Sequence, residues 1–292
     1  MSRTPLAAAA LAAALIAGPA LAAPPADLPA AIFTDPPADA AHPARMEVLH
    51  IPTHGVEING VAYLAAGAGP HPTVVLFHGL PGNEKNLDLA QAIRRAGWHV
   101  VTLNYRGSWG SPGQFRFRQN LEDADATLAY VRTPAVAARL GIDTGKLVII
   151  GHSMGGWVVI NTAAHDHGLA GLVSISAADM GFRAAAPHAP LAAAMANNME
   201  ALAGVTADSM ADDIATLGDT TFAHAAPGLK DTPFLNLTSD DGLAPGNEAL
   251  VAAIKAEGGT RVASGHAAAD HGWSDHRIDL EARIITWLQG LK

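Results

Sequence analysis

The chain has 292 residues, 27 acidic against 18 basic, and a formal net charge of -9 at pH 7 without any run of Lys or Arg. That balance argues against nucleic acid or an anionic membrane surface as a partner. The absence of cysteine excludes disulfides, a thiol nucleophile and a lipidated cysteine, and the 49% hydrophobic content with only 5% aromatics describes small-residue packing rather than a bilayer span.

The opening 22 residues have the layout of a secretory signal peptide: Arg3, an Ala/Leu/Ile stretch, then Ala20-Leu21-Ala22 as a small-x-small site. The apolar stretch before Gly18 is short against the roughly 20 residues a bilayer span needs. Cleavage after Ala22, and a periplasmic or secreted protein without a membrane anchor, are therefore expected. Residues 23–45 are Pro/Ala-rich without periodicity and read as an extended linker. A single α/β domain is expected over residues 46–292, long but ordinary for an enzyme with insertions.

That domain opens with two alternating segments around His54-Gly55, the pattern of an antiparallel hairpin. From Thr73 the pattern changes to short continuous apolar runs, "TVVLF", "HVVTLNY", "KLVII", "LVSIS" and "FLNLT", as expected of strands buried on both faces. Between them Leu121, Ala124, Leu128 and Val131 repeat at helical spacing, as do Leu250 with Ile254 and Ile284 with Trp287, Leu288 and Leu291. Strands alternating with helices predict a mostly parallel central sheet flanked by helices. Residues 178–230 break the rhythm, with Met180, Phe182, Met195, Met199, Met210 and Phe222 among Ala, Asp and Asn. They are expected to form a small cap of two or three short helices over the carboxyl edge of the sheet.

The chemistry centres on Gly151-His152-Ser153-Met154-Gly155, between the "KLVII" strand and an apolar helix opening. Gly-x-Ser-x-Gly in that setting is a nucleophile elbow: a strand turns straight into a helix and holds the serine hydroxyl out at the sheet edge. The backbone N–H of Met154 then becomes one oxyanion donor. A serine is a weak nucleophile without a base, and the base needs an acid to set its tautomer. Downstream, Asp240 and Asp241 follow the "FLNLT" strand. His266, His271 and His276 surround the loop between a short strand at residues 261–264 and the last helix.

With "LFHGLPGN", "NYRGSWGSPG", "TSDDGLAP" and "DHGWSDHR" in the order serine, acid, histidine, the chain resembles the α/β-hydrolase family over nearly everything after residue 46. The loop motifs look most like its serine-aminopeptidase and prolyl-oligopeptidase-like branch. The resemblance implies the α/β-hydrolase fold, Asp241 as the acid because it keeps the spacing to Pro245, with Asp240 as the neighbouring alternative, and His271, before Gly272 and Trp273, as the base. It also implies the N–H of Leu80, after His78-Gly79, as the second oxyanion donor. Asn104 departs from the more common Asp-x-Arg-Gly pattern. Arg106 is expected to order its loop, and Tyr105, Trp109 and Met180 are candidates for lining the substrate site.

The function implied is an exported serine hydrolase acting through Ser153, His271 and Asp241 on a small ester or short peptide, with no cofactor or metal required. A carboxylesterase-like activity is favoured over an aminopeptidase. The latter needs an anionic site for the substrate amine, for which the cap offers only single carboxylates at Asp179, Glu200, Asp212 and Asp213. Two other readings compete. The histidines and carboxylates of "DHGWSDH" and residues 165–167 are zinc-ligand types, although no pair has helix-face spacing. A non-catalytic binding module on the same scaffold is the other, although all three triad members are present.

Overall fold

The computed structural model describes residues 28–291; the signal-peptide expectation falls on residues 1–22, outside them. The domain opens with the hairpin β1 (Arg45–Thr53) and β2 (Val56–Leu64), closed by His54 and Gly55 at φ 41° and 84°. Both turn residues have positive φ, as a two-residue turn matching strand twist requires. There follow β3 (His71–Phe77), α1 (Leu87–Arg95), β4 (His99–Leu103), α2 (Phe117–Arg132), α3 (Pro134–Leu140), β5 (Ile142–His152), α4 (Met154–Ala163) and β6 (Gly171–Ile175). After an insertion come β7 (Phe234–Ser239), a later helix, β8 (Val262–Ala267) and a closing helix.

The eight strands form one sheet in the order β1-β2-β4-β3-β5-β6-β7-β8, antiparallel only at β1–β2 and β2–β4. Each apolar run read from the sequence falls on a strand, although "HVVTLNY" runs two residues past the end of β4 and "LVSIS" one past the end of β6. Alternation splits their side chains between two cores: Val75, Phe77 and Ile149 join one cluster with α2 and α4, while Val74, Leu76 and Ile150 join the other with α1 and the closing helix. Because the six strands from β4 to β8 run parallel, their carboxyl ends share one edge, where ligands bind in such sheets.

Between β6 and β7 the chain makes four short helices, α5 (Met180–Arg183), α6 (His188–Met195), α7 (Ala207–Ala215) and α8 (Phe222–Ala225), against the two or three expected. The insertion is tied to the "NYRGSWGSPG" loop by backbone bonds from Trp109 to Ala201, from Ala203 to Gly107 and from Phe115 to Ala203, all 2.7–2.9 Å. Asp213 adds an acceptor for the Phe117 N–H at 2.6 Å.

The lead before β1 differs from the expected extended linker. Residues 30–32 form a 3-10 turn whose Ala31 and Ile32 carbonyls accept from Arg95 at 2.5 and 3.1 Å. The physical reason is that Ile32 packs on the core cluster of α1, which gives this stretch an apolar anchor. Among the described residues no helix is long and apolar enough to cross a membrane. The last two helices, α9 (Ala244–Ala256) and α10 (Arg277–Gly290), complete the chain.

Candidate active site

Ser153 stands between the end of β5 and the first residue of α4, at φ 58° and ψ -121°. A non-glycine residue in that region is strained by about 1–3 kcal/mol, and the surroundings hold it there. The Ser153 N–H donates to the Ile175 carbonyl at 2.9 Å, and its carbonyl accepts from Gly156 and Ala178 at 2.9 and 3.0 Å. The turn needs glycine at 155, where a Cβ would lie 2.3 Å from the Phe77 carbonyl oxygen. Gly79 presses on the nucleophile from the β3 side, its ideal Cβ position being 2.9 Å from Ser153 Cβ.

Leu80, next to Gly79 in the loop after β3, and Met154, the first residue of α4, therefore lie beside Ser153. Met154 opens α4, so its N–H has no intrahelical acceptor. Among the described residues neither its N–H nor that of Leu80 reaches any hydrogen-bond partner. The loop carrying Leu80 is held by His78, which is buried and donates from Nδ1 to the Gly79 carbonyl at 2.8 Å. Burial, opposed by that bond and reinforced by Lys85, pushes the His78 imidazole down to about 4.

The expected acid and base meet. His271 Nδ1 lies 2.7 Å from Asp241 Oδ2, across the loops after β8 and β7. The Asp241 side chain is 5% exposed and that of His271 42% exposed. Burial raises the Asp241 pKa, but the hydrogen bonds from His271, the Leu243 N–H and the Ser239 hydroxyl outweigh it and hold the carboxyl below the usual range. Asp240 instead pairs with His266 at 3.0 Å, and His276 with Asp275 at 2.9 Å, both in exposed positions. No hydrogen bond joins Ser153 to His271; the two are brought together through the residue beside the nucleophile.

That residue, His152, escaped the sequence reading, although its place inside the elbow was the available signal. It is buried, donates from Nε2 to the His271 carbonyl at 2.8 Å, and lays its ring 4.8 Å from the His271 ring. Burial and the neighbouring His271 push its pKa down to about 4, so it is a neutral donor at neutral pH. His152→Ala is expected to lower kcat about tenfold with KM little changed, the worth of one such hydrogen bond. His152→Gln, whose amide can reach the same carbonyl, should recover part of the loss in steady-state assays. Equal losses in both variants would reduce His152 to packing.

Two of the expected lining residues are corrected. Tyr105 is fully buried, its hydroxyl donating to the His78 carbonyl at 3.3 Å, so it buttresses the Leu80 loop. Met180 is 3% exposed within the main core, because the start of the insertion packs down on α7. Trp109 alone of the three reaches the surface, its indole donating to the Pro81 carbonyl at 2.7 Å with Lys85 Nζ 4.3 Å above its ring. Asn104 accepts from Lys85 at 2.9 Å, a neutral partner where the commoner aspartate would make an ion pair. Arg106 pairs with the buried Asp123 at 2.6 Å and anchors the loop on α2.

The comparisons bear on this edge of the sheet. The family model described as alpha/beta hydrolase fold matches residues 72–244, from β3 through the elbow to the acid loop. The chain belongs to the alpha/beta hydrolase family. It is 36% identical over 109 residues to the quorum-quenching protein AidA of Acinetobacter baumannii, covering 35% of this chain and 34% of that protein. It is 33% identical over 122 residues to the sn-1-specific diacylglycerol lipase ABHD11 of Xenopus tropicalis, covering 39% and 34%. The chain thus matches about a third of the length of each of these relatives. Among solved structures, a Pyrobaculum calidifontis esterase superposes with a TM-score of 0.63 at 22% identity, over 86% of this chain and 87% of that one. A Bacillus coagulans carboxyl esterase gives 0.65 at 16% identity, over 84% and 98%. These likenesses support the broad family and the fold. The narrower aminopeptidase and prolyl-oligopeptidase-like branch is carried only by the loop motifs of the sequence.

Among the described residues no group of three or more His, Asp or Glu is placed to hold a metal. His165, one of the histidines of the metal reading, pairs with Asp125 at 2.9 Å instead.

Proposed function

We propose that this hydrolase is a serine esterase. Ser153 Oγ attacks the ester carbonyl carbon while its proton passes to His271 Nε2, and Asp241 steadies the imidazolium through Nδ1. The carbonyl oxygen becomes an oxyanion received by the N–H groups of Leu80 and Met154. Collapse breaks the ester C–O bond, and the departing alkoxide takes the proton from Nε2. Water, deprotonated by the same nitrogen, then releases the acid and regenerates the serine. The observation that carries this reading is the 2.7 Å His271–Asp241 pair at the sheet edge where Ser153 is held in a strained turn.

An ester is favoured over a peptide amine by what surrounds the pair. Asp179, one candidate to bind an amine, already accepts from the Phe182 and Phe222 N–H groups, both at 2.9 Å. Beside it, a groove of about 950 Å³ runs between α5 and α9, lined by Ala177, Phe182, Phe222, Leu243, Ala249 and Ala253 among others. It adjoins the acid loop and is walled mainly by apolar side chains, suiting an alkyl chain. The esterase and lipase named among the similar proteins are consistent with such a substrate. We further propose that residues 1–22 direct export and are removed.

A panel of p-nitrophenyl esters of rising acyl length and of aminoacyl p-nitroanilides tests the reading on the mature protein. Ester turnover is expected, with kcat/KM rising by up to about fourfold per added methylene while the groove fills, the factor for about 0.8 kcal/mol per buried CH₂. Anilide turnover exceeding ester turnover would move the activity to peptidase.

A further inference from the structure

Beneath the His271–Asp241 pair lies a buried polar chain that the reaction above does not use. Trp273, two residues after the base, is fully buried, and its indole Nε1 donates to Ser176 Oγ at 3.1 Å. Ser176 Oγ lies 2.8 Å from Ser239 Oγ, and both serines are buried, at 0% and 1% exposure. An indole N–H can only donate, so Ser176 accepts there and its own proton goes to Ser239, its remaining partner. Ser239 ends β7 two residues before Asp241, and its hydroxyl is one of the groups that lower the Asp241 pKa, so the proton it does not share with Ser176 is free to turn toward that carboxylate. The two hydrogen bonds thus run one way, from the loop of the base, across the ends of β6 and β7, to the strand end that leads into the acid loop.

Two of these three residues also have strained backbone: Ser176 and Trp273 have positive φ, at 45° and 57°, as Ser153 does at 58°. Non-glycine residues hold that conformation only where surrounding contacts impose it, and they cluster at working sites. The Ser176 N–H is tied to the Leu237 carbonyl at 2.8 Å, and the Trp273 N–H to the Asp270 carbonyl at 3.0 Å. Neither strain is needed by the sheet, whose strand β6 has ended at Ile175.

We infer that Trp273, Ser176 and Ser239 are positioning residues, a one-way donor chain that fixes the acid and the base of the triad relative to each other. The inference rests on the esterase reading, and its test separates the two. The groups facing His271 are Asp241, the neutral His152, Asp270 on its own loop and Arg277, which donates to the Gly272 carbonyl at 3.0 Å. Removing a donor from Asp241 leaves a more basic carboxylate that binds the imidazolium more tightly.

Ser176→Ala and Ser239→Ala are therefore expected to lower kcat about tenfold with KM unchanged, to move the acid limb of the kcat profile to higher pH, and to shift the downfield proton resonance of His271 Nδ1–H. Ser→Thr at either position, which keeps the hydroxyl, should recover the pH profile. Trp273→Phe keeps most of the ring volume and removes the first donor, so it should act in the same direction more weakly, and it serves if the alanine variants do not fold. Variants with lowered melting temperature but a wild-type pH profile and resonance would overturn the inference. If instead Ser153→Ala leaves ester turnover intact, the serine mechanism of the esterase reading fails, while the resonance still reports whether the chain acts on the His271–Asp241 pair.

Discussion

Ser153→Ala is expected to lower ester kcat by about 10⁶-fold, and Asp241→Asn by about 10⁴-fold, the scale on which serine hydrolases lose activity when a triad member is removed. The two losses differ because, in the proposed mechanism, the serine supplies the bond-forming atom, whereas the carboxylate acts through the tautomer and charge of His271. Members of such a unit are not additive, so Ser153→Ala with His271→Ala should be no slower than Ser153→Ala alone. Steady-state turnover of a short p-nitrophenyl ester measures all three. A Ser153→Ala enzyme within tenfold of wild type would sink the serine mechanism, since no other hydroxyl nucleophile occupies the turn between β5 and α4.

Stability should collapse in mild acid. His78, His99 and His152 are buried, and desolvation first, with smaller contributions from the neighbouring Lys85, His71 and His271 respectively, pushes each from 6.5 to about 4. The unfolded chain takes up these protons near 6.5 and the native one only near 4, so between those values unfolding binds about three protons. The contribution is complete above about pH 6.5 and is lost as pH falls toward 4, with a slope on the order of 4 kcal/mol per pH unit near pH 5. Asp123, Asp179, Asp213 and Glu281, whose carboxyls burial pushes up, act in the opposite sense at the bottom of that window. Urea midpoints at pH 7, 6 and 5 should therefore fall steeply. A midpoint constant across that range would show that these histidines titrate normally in the folded protein.

Much of this molecule is written locally. The buried strands are legible because a parallel sheet covered on both faces demands continuous apolar runs, and the elbow because few sequences turn a strand into a helix with glycine on both sides of a serine. Asp241 and His271 were singled out by the resemblance, from their order and the loops that carry them, and the structure brings those two side chains into contact. The lining residues were not readable in this way. Aromatic or sulfur-bearing side chains next to a motif serve packing and binding alike, and burial sent Tyr105 and Met180 inward while leaving Trp109 at the surface.

Local patterns of hydrophobicity and turn chemistry were enough to mark the strands, the helices and the loops that carry Ser153, Asp241 and His271, because each such element is written in residues close together in the chain. The partners of His152, the chain from Trp273 through Ser176 to Ser239, and the docking of Ile32 depend on residues 63 to 119 positions apart in the hydrogen bonds that define them. Such contacts carry no local signature: a serine ending an apolar strand looks the same whether it faces water or a tryptophan from another loop. Only the packing of β5, β6, β7 and the loop after β8 at one edge decides it.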